Sequence, residues 1–477
     1  MFFVAGYWLL DLLVLRAGVP APLDDTWEYG VAARHLLAGA GFRTSVILPP
    51  LWPLRDASLS VPLLIHGPLF PLLLAPLIAA FGPATLDHVA WIGALAACLT
   101  AVPLYRLGER ALVAPVGAAA VLLLTLSPLT LEAVNHDPSL CVGGLLLMLA
   151  LELATRPRPA AGRAGLALGA AGLARPEMAL VLPVLLVLIG RGARVRGALA
   201  ALACLLPWWW YQGRAAGIPG FNLSSYLLIA YTERYPELSP LRDFALTPER
   251  WPRVLAGSLP WLWRKWLFTL PRAVKHALCA PSGGTGWLGL PGALAILARP
   301  RLRPLATAAL VISLIPIGLM VATEHSPRYV TPFLGLWSLA TARGAEVVLQ
   351  RLPAWAHRPR TLILALLLAI LPSTGPALRE SFHDTRVLES WLALERSRLA
   401  SKTAGMGARA APMFSDTPDL VAWTTGRPTV WVTRAEYERL YAHFPQGARP
   451  DLPPAPKPGE LWFHADPHNP ERSAGGH

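Results

Sequence analysis

Apolar residues are concentrated along the chain in long uninterrupted runs, and short polar segments separate these runs. A helix needs about 20 mostly apolar residues to cross the hydrocarbon core of a bilayer. Each long run therefore predicts a membrane-spanning helix. The runs fall at residues 1–19, 87–107, 111–131, 138–154, 197–211, 286–298, 305–322, 329–348 and 361–376.

The apolar segment 164–189 has a basic cluster on each side, "RPRPAAGR" before it and "RGARVR" after it. Lys and Arg are enriched in cytoplasmic loops, so both ends of this segment belong on the same side of the membrane. The sequence predicts two short helices that enter and return, meeting at the polar break Arg175-Pro176-Glu177. With this hairpin, the chain has about eleven spanning helices.

The remaining basic loops fit one topology, with the N-terminus in the cytoplasm. "RLGER", "RPRLRP" and "RLPAWAHRPR" then lie on the cytoplasmic side together with both clusters around the hairpin. The opposite face receives most of the acidic residues, in loops 20–86, 132–137, 212–285 and 323–328 and in everything after 376. In a bacterium that face is the periplasm or the cell exterior, and in a eukaryote it is the ER lumen. We expect a bacterial inner membrane protein with its site on the periplasmic face.

Two further helices are predicted on the membrane surface. The run 66–81 in the first outer loop (20–86) is interrupted by prolines and short for a span, and 260–280 in the second large outer loop (212–285) mixes Trp with Arg and Lys, as interfacial helices do. After the transmembrane domain (1–376), composition predicts a small soluble α/β lobe (377–450), with a strand near 429–432, and a disordered Pro-rich tail (451–477).

Composition supports a membrane protein and excludes other classes. The 477 residues are 54% hydrophobic and only 15% charged, which is too apolar for a soluble protein of this size. The net charge of +13 comes from Arg clusters between apolar runs, not from one basic face, so nucleic acid is not an expected partner. The four cysteines have no CxxC spacing, so neither a disulfide framework nor a zinc site is indicated.

An acidic pair, Asp24 and Asp25, directly follows the first predicted span and precedes an amphipathic helix that begins near Thr26. Asp25 could simply cap this helix, because a carboxylate is favourable near a helix N-terminus. Two partly desolvated carboxylates at a membrane surface can also supply a general base for an acceptor hydroxyl.

The loop "EAVNHDPSL" places Asp137 and His136 at the outer edge of a span, where Asp137 could serve only as a helix cap before Pro138. Arg175 and Glu177 lie at the tip of the hairpin. Ionisable groups at membrane depth are costly and usually face an internal polar cavity, although a purely structural ion pair is an equal alternative.

A fourth segment, "EHSPRYVTP", brings Glu324, Arg328 and Tyr329 to the outer end of a span. Arg328 there could bind a phosphate or only anchor the helix at the headgroups. The predicted topology places this segment, the acidic pair and Asp137 on the same face and allows the hairpin tip to join them. Such a cavity suits a reaction on a lipid phosphate, in which Arg holds the leaving phosphate and a carboxylate activates the nucleophile.

The order of these motifs resembles the GT-C membrane glycosyltransferases, specifically the group with the lipid A aminoarabinose transferases and the protein O-mannosyltransferases. The likeness covers nearly the whole chain and departs in two places, Gly67 where a proline is usual and the absence of a later proline after Pro332. The segments that carry it are "DDTWEYGVAARHLLAGAGF", "HGPLFPLLLAPLIAAFG", "SPLTLEAVNHDPSL", "GLALGAAGLARPE" and "EHSPRYVTPFL".

The resemblance implies an all-α polytopic GT-C-like fold and the transfer of a sugar, with inversion, from a polyprenyl-phosphate donor to an extracytoplasmic glycan, lipid or protein acceptor. Asp24 or Asp25 would be the base, with Asp24 slightly favoured, and Asp137 a second acid. Membrane lipid is the other expected partner, and no cofactor or obligatory metal is expected. Arg328, Tyr329 and Arg175 would bind the donor phosphate, with Glu177, His136, Glu324 and His66 in support.

Two other classes of protein remain as alternatives. A transporter or lipid flippase would also need intramembrane charges, but this chain has no internal repeat and its charges gather at one face, not at the midplane. A non-catalytic member of the fold would have much the same sequence pattern. The distinguishing feature is whether Asp24, Asp25 and Asp137 line one pocket with Arg328.

Overall fold

The computed structural model describes residues 25–82, 85–86, 89–219, 221–279, 285–299, 302–323, 326–353 and 357–370, and short pieces at 372, 374, 397, 399, 413–415, 418–432 and 462–463. The predicted span at 1–19, Asp24, Glu324 and most of the segment after 376 lie outside the described residues.

Helices form most of the described chain. They are α1 (Asp25–Leu37), α2 (Leu69–Phe81), α3 (Ala90–Ala111), α4 (Ala114–Thr125), α5 (Pro128–His136), α6 (Pro138–Ala154), α7 (Ala161–Ala174), α8 (Leu182–Ile189), α9 (Arg194–Ala216), α10 (Trp251–Cys279), α11 (Gly289–Leu297), α12 (Arg303–Ala322), α13 (Leu334–Leu349), α14 (Pro359–Ile370) and α15 (Pro418–Thr425). Turns of 3-10 helix lie at Pro49–Leu54, Pro176–Val181, Arg191–Ala193, Leu223–Leu228, Ser239–Arg242, Pro248–Arg250, Thr285–Leu288 and Pro327–Phe333.

The chain divides into two compact units. The first, called here the helical unit, comprises Val89–Trp208 and Arg264–His383 with Met1–Gly18. The second, called the loop unit, comprises Val19–His88, Trp209–Trp263 and Asp384–His477. Each unit has its own buried apolar cluster, that of the helical unit around α3 to α8 and α13, and that of the loop unit around the second outer loop.

Among the described residues, α3 and α12 are long and apolar enough to cross a membrane. Helix α4 and the first part of α5 form a pair bent by 53°, which would be a third span if the two parts cross together. Helices α2, α6, α11 and α14 are apolar but shorter. The number of eleven spans therefore stays a prediction.

The break predicted at Arg175-Pro176-Glu177 is present in the structure. Helix α7 ends at Ala174, Arg175 is extended (φ −140°, ψ 110°), and a 3-10 turn begins at Pro176 and leads into α8. Proline lacks an N–H donor and disfavours the helical conformation of the residue before it, so the break falls where the sequence places it.

The two helices predicted on the membrane surface form close to their predicted positions in the chain. Helix α2 lies within the run 66–81, whereas α10 begins at Trp251, before the predicted start at residue 260. Three aromatic side chains of α10, Trp263, Trp266 and Phe268, are exposed, as expected for a helix that contacts lipid headgroups and acyl chains.

The strands belong to the loop unit, and the separate C-terminal lobe stays a prediction. In chain order they are β1 (Arg43–Thr44), β2 (Val46–Ile47), β3 (Val61–Pro62), β4 (Met413–Ser415), β5 (Thr429–Trp431) and β6 (Trp462–Phe463). Strands β1 and β3 pair antiparallel, and the second sheet has the order β2-β5-β4-β6 with parallel pairing. The first outer loop and the C-terminal segment thus share one sheet, and β6 lies in the stretch that composition predicts to be disordered.

A cation–π contact accompanies this sheet. The guanidinium carbon of Arg34 in α1 lies 3.3 Å from the ring centroid of Trp423 in α15, and Arg34 Nη1 donates to the Trp423 carbonyl at 2.6 Å. The backbone hydrogen bonds of the sheet set the register of its strands. The contact of Arg34 with Trp423 fixes α1 against α15.

Glycines allow α11 and α13 to pack with their backbones in contact. A Cβ on Gly292 of α11 would lie 1.8 Å from the Ala340 carbonyl oxygen, and one on Gly344 of α13 would lie 1.9 Å from the Leu288 carbonyl oxygen. Close approach of this kind is typical of membrane helices, where small residues replace the hydrophobic driving force with van der Waals contact.

We expect Gly292→Ala to destabilise the protein by about 1–3 kcal/mol, because the added methyl group would displace the backbone of α13. The matched control is Gly318→Ala in α12, where an added Cβ meets nothing within 4 Å. The measurement is the thermal unfolding midpoint of both variants in detergent. Equal midpoints for Gly292→Ala, Gly318→Ala and the wild type would contradict the packing described here.

Candidate functional site

In the helical unit, three predicted site residues form one buried ion network. Arg175 Nη1 donates to Asp137 Oδ2 at 2.9 Å, and Arg175 Nε donates to Glu177 Oε1 at 2.9 Å. Asp137 and Arg175 are 5% and 6% exposed. Residues 38 positions apart in the chain are thus joined by a charge-assisted bond that water does not screen.

Asp137 also caps α6. Its Oδ1 accepts from the backbone N–H of Ser139 at 3.2 Å and from the Ser139 hydroxyl, and Pro138 occupies the first helical turn. The capping role considered from the sequence is therefore present, and the same carboxylate also forms an ion pair with Arg175 that was not predicted. Because one oxygen is bonded to the helix end and the other to Arg175, this carboxylate is arranged to hold Arg175 in place.

Two adjacent glycines in α6 bring other site segments against the same turn. A Cβ on Gly143 would lie 3.3 Å from Cγ of Arg175, and a Cβ on Gly144 would lie 3.3 Å from the Cα of Pro332. The 3-10 turn Pro327–Phe333, which carries the predicted phosphate ligand Arg328, therefore packs beside the tip of the hairpin.

Within that turn, Tyr329 is 7% exposed and the guanidinium carbon of Arg328 lies 5.9 Å from the centroid of its ring. The helical unit thus brings the hairpin tip and the "RYVTP" segment against neighbouring positions of α6, an arrangement that the predicted topology allows. Whether the acidic pair joins them stays a prediction.

The loop unit contains a second cluster, at the first turn of α1. His66 Nε2 lies 3.0 Å from Glu28 Oε2 and 3.8 Å from Asp25 Oδ1. The ring of His66 packs on Tyr29 at a centroid distance of 4.8 Å, and Tyr29 packs on Phe70 of α2 at 5.0 Å. A histidine from the juxtamembrane segment is thus held against the acidic turn of α1.

Glu28 is a site residue that the sequence reasoning did not select. It is 4% exposed, although glutamate is seldom buried without a partner. The signal in the sequence is its spacing from Asp25, because residues three apart share one face of a helix. Of the two carboxylates beside His66 Nε2, that of Glu28 is the nearer. His66 therefore supports Glu28 most directly.

A polar turn follows α1 in the same loop. Arg43 Nε lies 3.1 Å from Asp56 Oδ2 and donates to Ser60 Oγ at 2.8 Å. Burial alone would raise the pKa of Asp56, but hydrogen bonds from Ser58 and Ser60 and the charge of Arg43 outweigh it and lower the pKa to about 2. The stabilisation from Asp56 is therefore present above its ordinary pKa of 3.8 and is lost as the pH falls towards 2.

His35 joins this turn through Ser45, with His35 Nε2 and Ser45 Oγ 2.8 Å apart. Burial lowers the pKa of His35 below its ordinary value of 6.5, and the charge of Arg43 is the second cause of this decrease. His35 is therefore neutral at pH 7. Its contribution to stability is present above the unfolded-state pKa and is lost as the pH falls below that value towards the lower folded-state pKa.

Some predicted site residues are not placed. Asp24 and Glu324 lie outside the described residues, and His136 ends α5 without a described side chain. In the described part of the chain, no group of three or more His, Cys, Asp or Glu side chains could hold a metal ion. Metal dependence stays a prediction.

The helices around this network have the GT-C fold of membrane glycosyltransferases, and the predicted resemblance is confirmed at the level of fold. The chain is similar to the crystal structure of ArnT from Cupriavidus metallidurans bound to undecaprenyl phosphate, with a TM-score of 0.52 and 14% identity over 91% of this chain and 86% of that chain. No protein-family model matches, and no curated protein matches by sequence.

The chain is also similar to the Archaeoglobus fulgidus oligosaccharyltransferase. The crystal structure of that enzyme in complex with Zn and sulfate gives a TM-score of 0.56 at 14% identity, over 91% of this chain and 62% of that chain. The apo form gives a TM-score of 0.56 at 12% identity, over 91% of this chain and 64% of that chain. This chain therefore spans less than two thirds of that second neighbour.

We expect Arg175→Gln to destabilise the protein by about 3–5 kcal/mol, because it leaves the carboxylate of Asp137 buried without its cation. The double variant Asp137→Asn/Arg175→Gln should cost less than the sum of the two single changes, since it removes both charges together. Arg191→Gln, at an exposed position, is the control. Thermal unfolding midpoints in detergent measure all four, and additive effects would contradict a direct Asp137–Arg175 pair.

Proposed function

We propose that this chain transfers a sugar, with inversion, from a polyprenyl-phosphate donor to an acceptor hydroxyl outside the cytoplasm. The observation that carries the proposal is the buried Asp137–Arg175–Glu177 network at the hairpin break, in a chain with the GT-C fold. The neighbour ArnT was crystallised with undecaprenyl phosphate, which supports a lipid of that class as the donor carrier.

The proposed reaction is a single displacement. A carboxylate of the acidic pair, Asp24 or Asp25, accepts the proton of the acceptor hydroxyl. At the same time the oxygen of that hydroxyl bonds to the anomeric carbon of the sugar. The bond from that carbon to the phosphate oxygen breaks, and the phosphate leaves with the electron pair. Because attack and departure occur on opposite faces of the carbon, the configuration inverts.

Cationic side chains would stabilise the leaving phosphate. Arg328 and Tyr329 are proposed to contact it, since a guanidinium presents paired N–H donors that match phosphate oxygens. Asp137 and Glu177 fix the guanidinium of Arg175 at a set position. Charge placed in advance stabilises the transition state without reorganising during the reaction.

In the loop unit, Glu28 and His66 are proposed to position the first turn of α1. Their contact at 3.0 Å ties that turn to the juxtamembrane segment, and the stack of His66 on Tyr29 limits movement of the ring. The carboxylate of Asp25 is thereby kept at a set place relative to α2. The proposed setting is a bacterial inner membrane with this site on the periplasmic face.

Transfer of radiolabelled sugar from a panel of polyprenyl-phosphate sugars tests the proposal, in membranes that contain equal amounts of each variant. We expect Asp24→Asn or Asp25→Asn to reduce transfer about 10²–10⁴-fold, the usual contribution of a general base. Asp137→Asn should also reduce transfer, through the displaced Arg175. Glu249→Gln, an exposed carboxylate in the second outer loop, should leave transfer unchanged.

Transfer that is lost with only one first-loop aspartate identifies the base. Unchanged transfer in Asp24→Asn, Asp25→Asn and Asp137→Asn would overturn the mechanism. If the wild type transfers none of the sugars, movement of labelled lipid across reconstituted vesicles tests the flippase alternative. Lipid movement without sugar transfer would replace the proposed function.

A further inference from the structure

A cleft lined by four arginines lies at the end of the helical unit remote from Asp137. It has a volume of about 550 Å³, and its charged lining residues come from the C-terminal end of α3, the end of α6 and the connection to α7. These residues are Arg106, Glu109, Arg110, Glu152, Arg156 and Arg158.

Two of the arginines are held in place by a buried carboxylate. The side chain of Glu152 is 3% exposed, Arg156 Nη2 donates to its Oε2 at 2.9 Å, and Arg110 Nη2 donates to its Oε1. This arrangement neutralises part of the charge and fixes two guanidinium groups in the cleft. A guanidinium has five N–H donors, so each retains donors beyond those used by Glu152.

The other two arginines extend the positive charge outwards. Arg106 and Arg158 are exposed, and among the described residues no carboxylate lies within ion-pair distance of either. Four arginines against Glu109 and Glu152 leave a net positive charge in the cleft. The cleft therefore suits an anion.

The cleft lies a membrane-length helix away from the candidate site. Helices α3 and α6 run parallel, because Gly93 near the start of α3 packs against Pro138 and Arg110 near its end contacts Glu152. At 1.5 Å per residue, α6 is roughly 25 Å long, close to the thickness of the hydrocarbon core. The cleft is thus at the opposite membrane surface from Asp137, on the side that the basic loops assign to the cytoplasm.

An exposed apolar stripe on α3 leads into this cleft. Trp91, Leu95 and Leu99 are 43%, 59% and 47% exposed, and Arg106 follows Leu99 by two helical turns on the same face. A molecule with acyl chains along this stripe would place its headgroup at Arg106. This continuity favours a lipid over a small soluble anion.

We propose that this cleft binds the phosphate of an anionic phospholipid, independently of sugar transfer. The phosphodiester accepts hydrogen bonds from Arg106 and Arg158 and from the remaining N–H groups of Arg110 and Arg156. Basic pockets between membrane helices on the cytoplasmic side bind such headgroups, and each basic residue near an anionic surface contributes measurably to affinity.

The test is a titration of the purified full-length protein in neutral detergent, with the thermal unfolding midpoint as the readout. The added ligands are phosphatidylglycerol, phosphatidylcholine and inorganic phosphate. We expect phosphatidylglycerol to raise the midpoint of the wild type, and Arg106→Gln/Arg158→Gln to bind it about tenfold or more weakly. Arg110 and Arg156 are left unchanged because they hold Glu152 in place.

The matched control is Arg163→Gln/Arg191→Gln, which removes the same charge from exposed positions outside the cleft on the same predicted side of the membrane. It should bind phosphatidylglycerol as the wild type does. Equal weakening in both double variants would overturn the proposal in favour of a diffuse surface charge. An equal response to phosphatidylcholine, or full reproduction by inorganic phosphate, would also overturn it. None of these readouts depends on sugar transfer.

Discussion

An ionised guanidinium that is withdrawn from water requires carboxylates, and this requirement organises the helical unit. Arg175 is 6% exposed and bonds to Asp137 and Glu177. Loss of Arg175 would leave the carboxylate of Asp137 buried without its cation, which costs several kcal/mol. The ion network therefore joins the start of α6 to the break of the hairpin, and Pro176 ensures that this break is also a break in the backbone.

At the start of α6, two glycines without side chains leave room for neighbouring segments to pack closely. Gly143 and Gly144 let Arg175 and Pro332 approach α6 from adjacent directions. Charge and close packing thus act on one helix turn: the ion pair holds the hairpin tip, and the glycine contact holds the segment with Arg328. At the other end of α6, Glu152 repeats the arrangement with Arg110 and Arg156, so this helix has a buried carboxylate at both ends.

Much of the local structure could be predicted because its causes are local. Asp137 and Pro138 start α6 where the sequence indicates, since a capping carboxylate and a residue without an N–H donor both favour a helix start there. The hairpin break at Arg175 follows from the next residue, Pro176. The pairing of Arg175 with Asp137 was not predicted, because a sequence does not give the distance between residues 38 positions apart.

The sequence by itself determined which segments are apolar and where prolines and capping residues divide them. It also showed which ionisable residues lie among apolar segments and therefore need partners. Only the tertiary structure decided those partners: Glu28 for His66, Arg175 for Asp137, and β5 for β2. The physical reason is that hydrophobic periodicity and proline effects act over a few residues, whereas an ion pair or a parallel strand pair depends on distances that the whole packed chain sets.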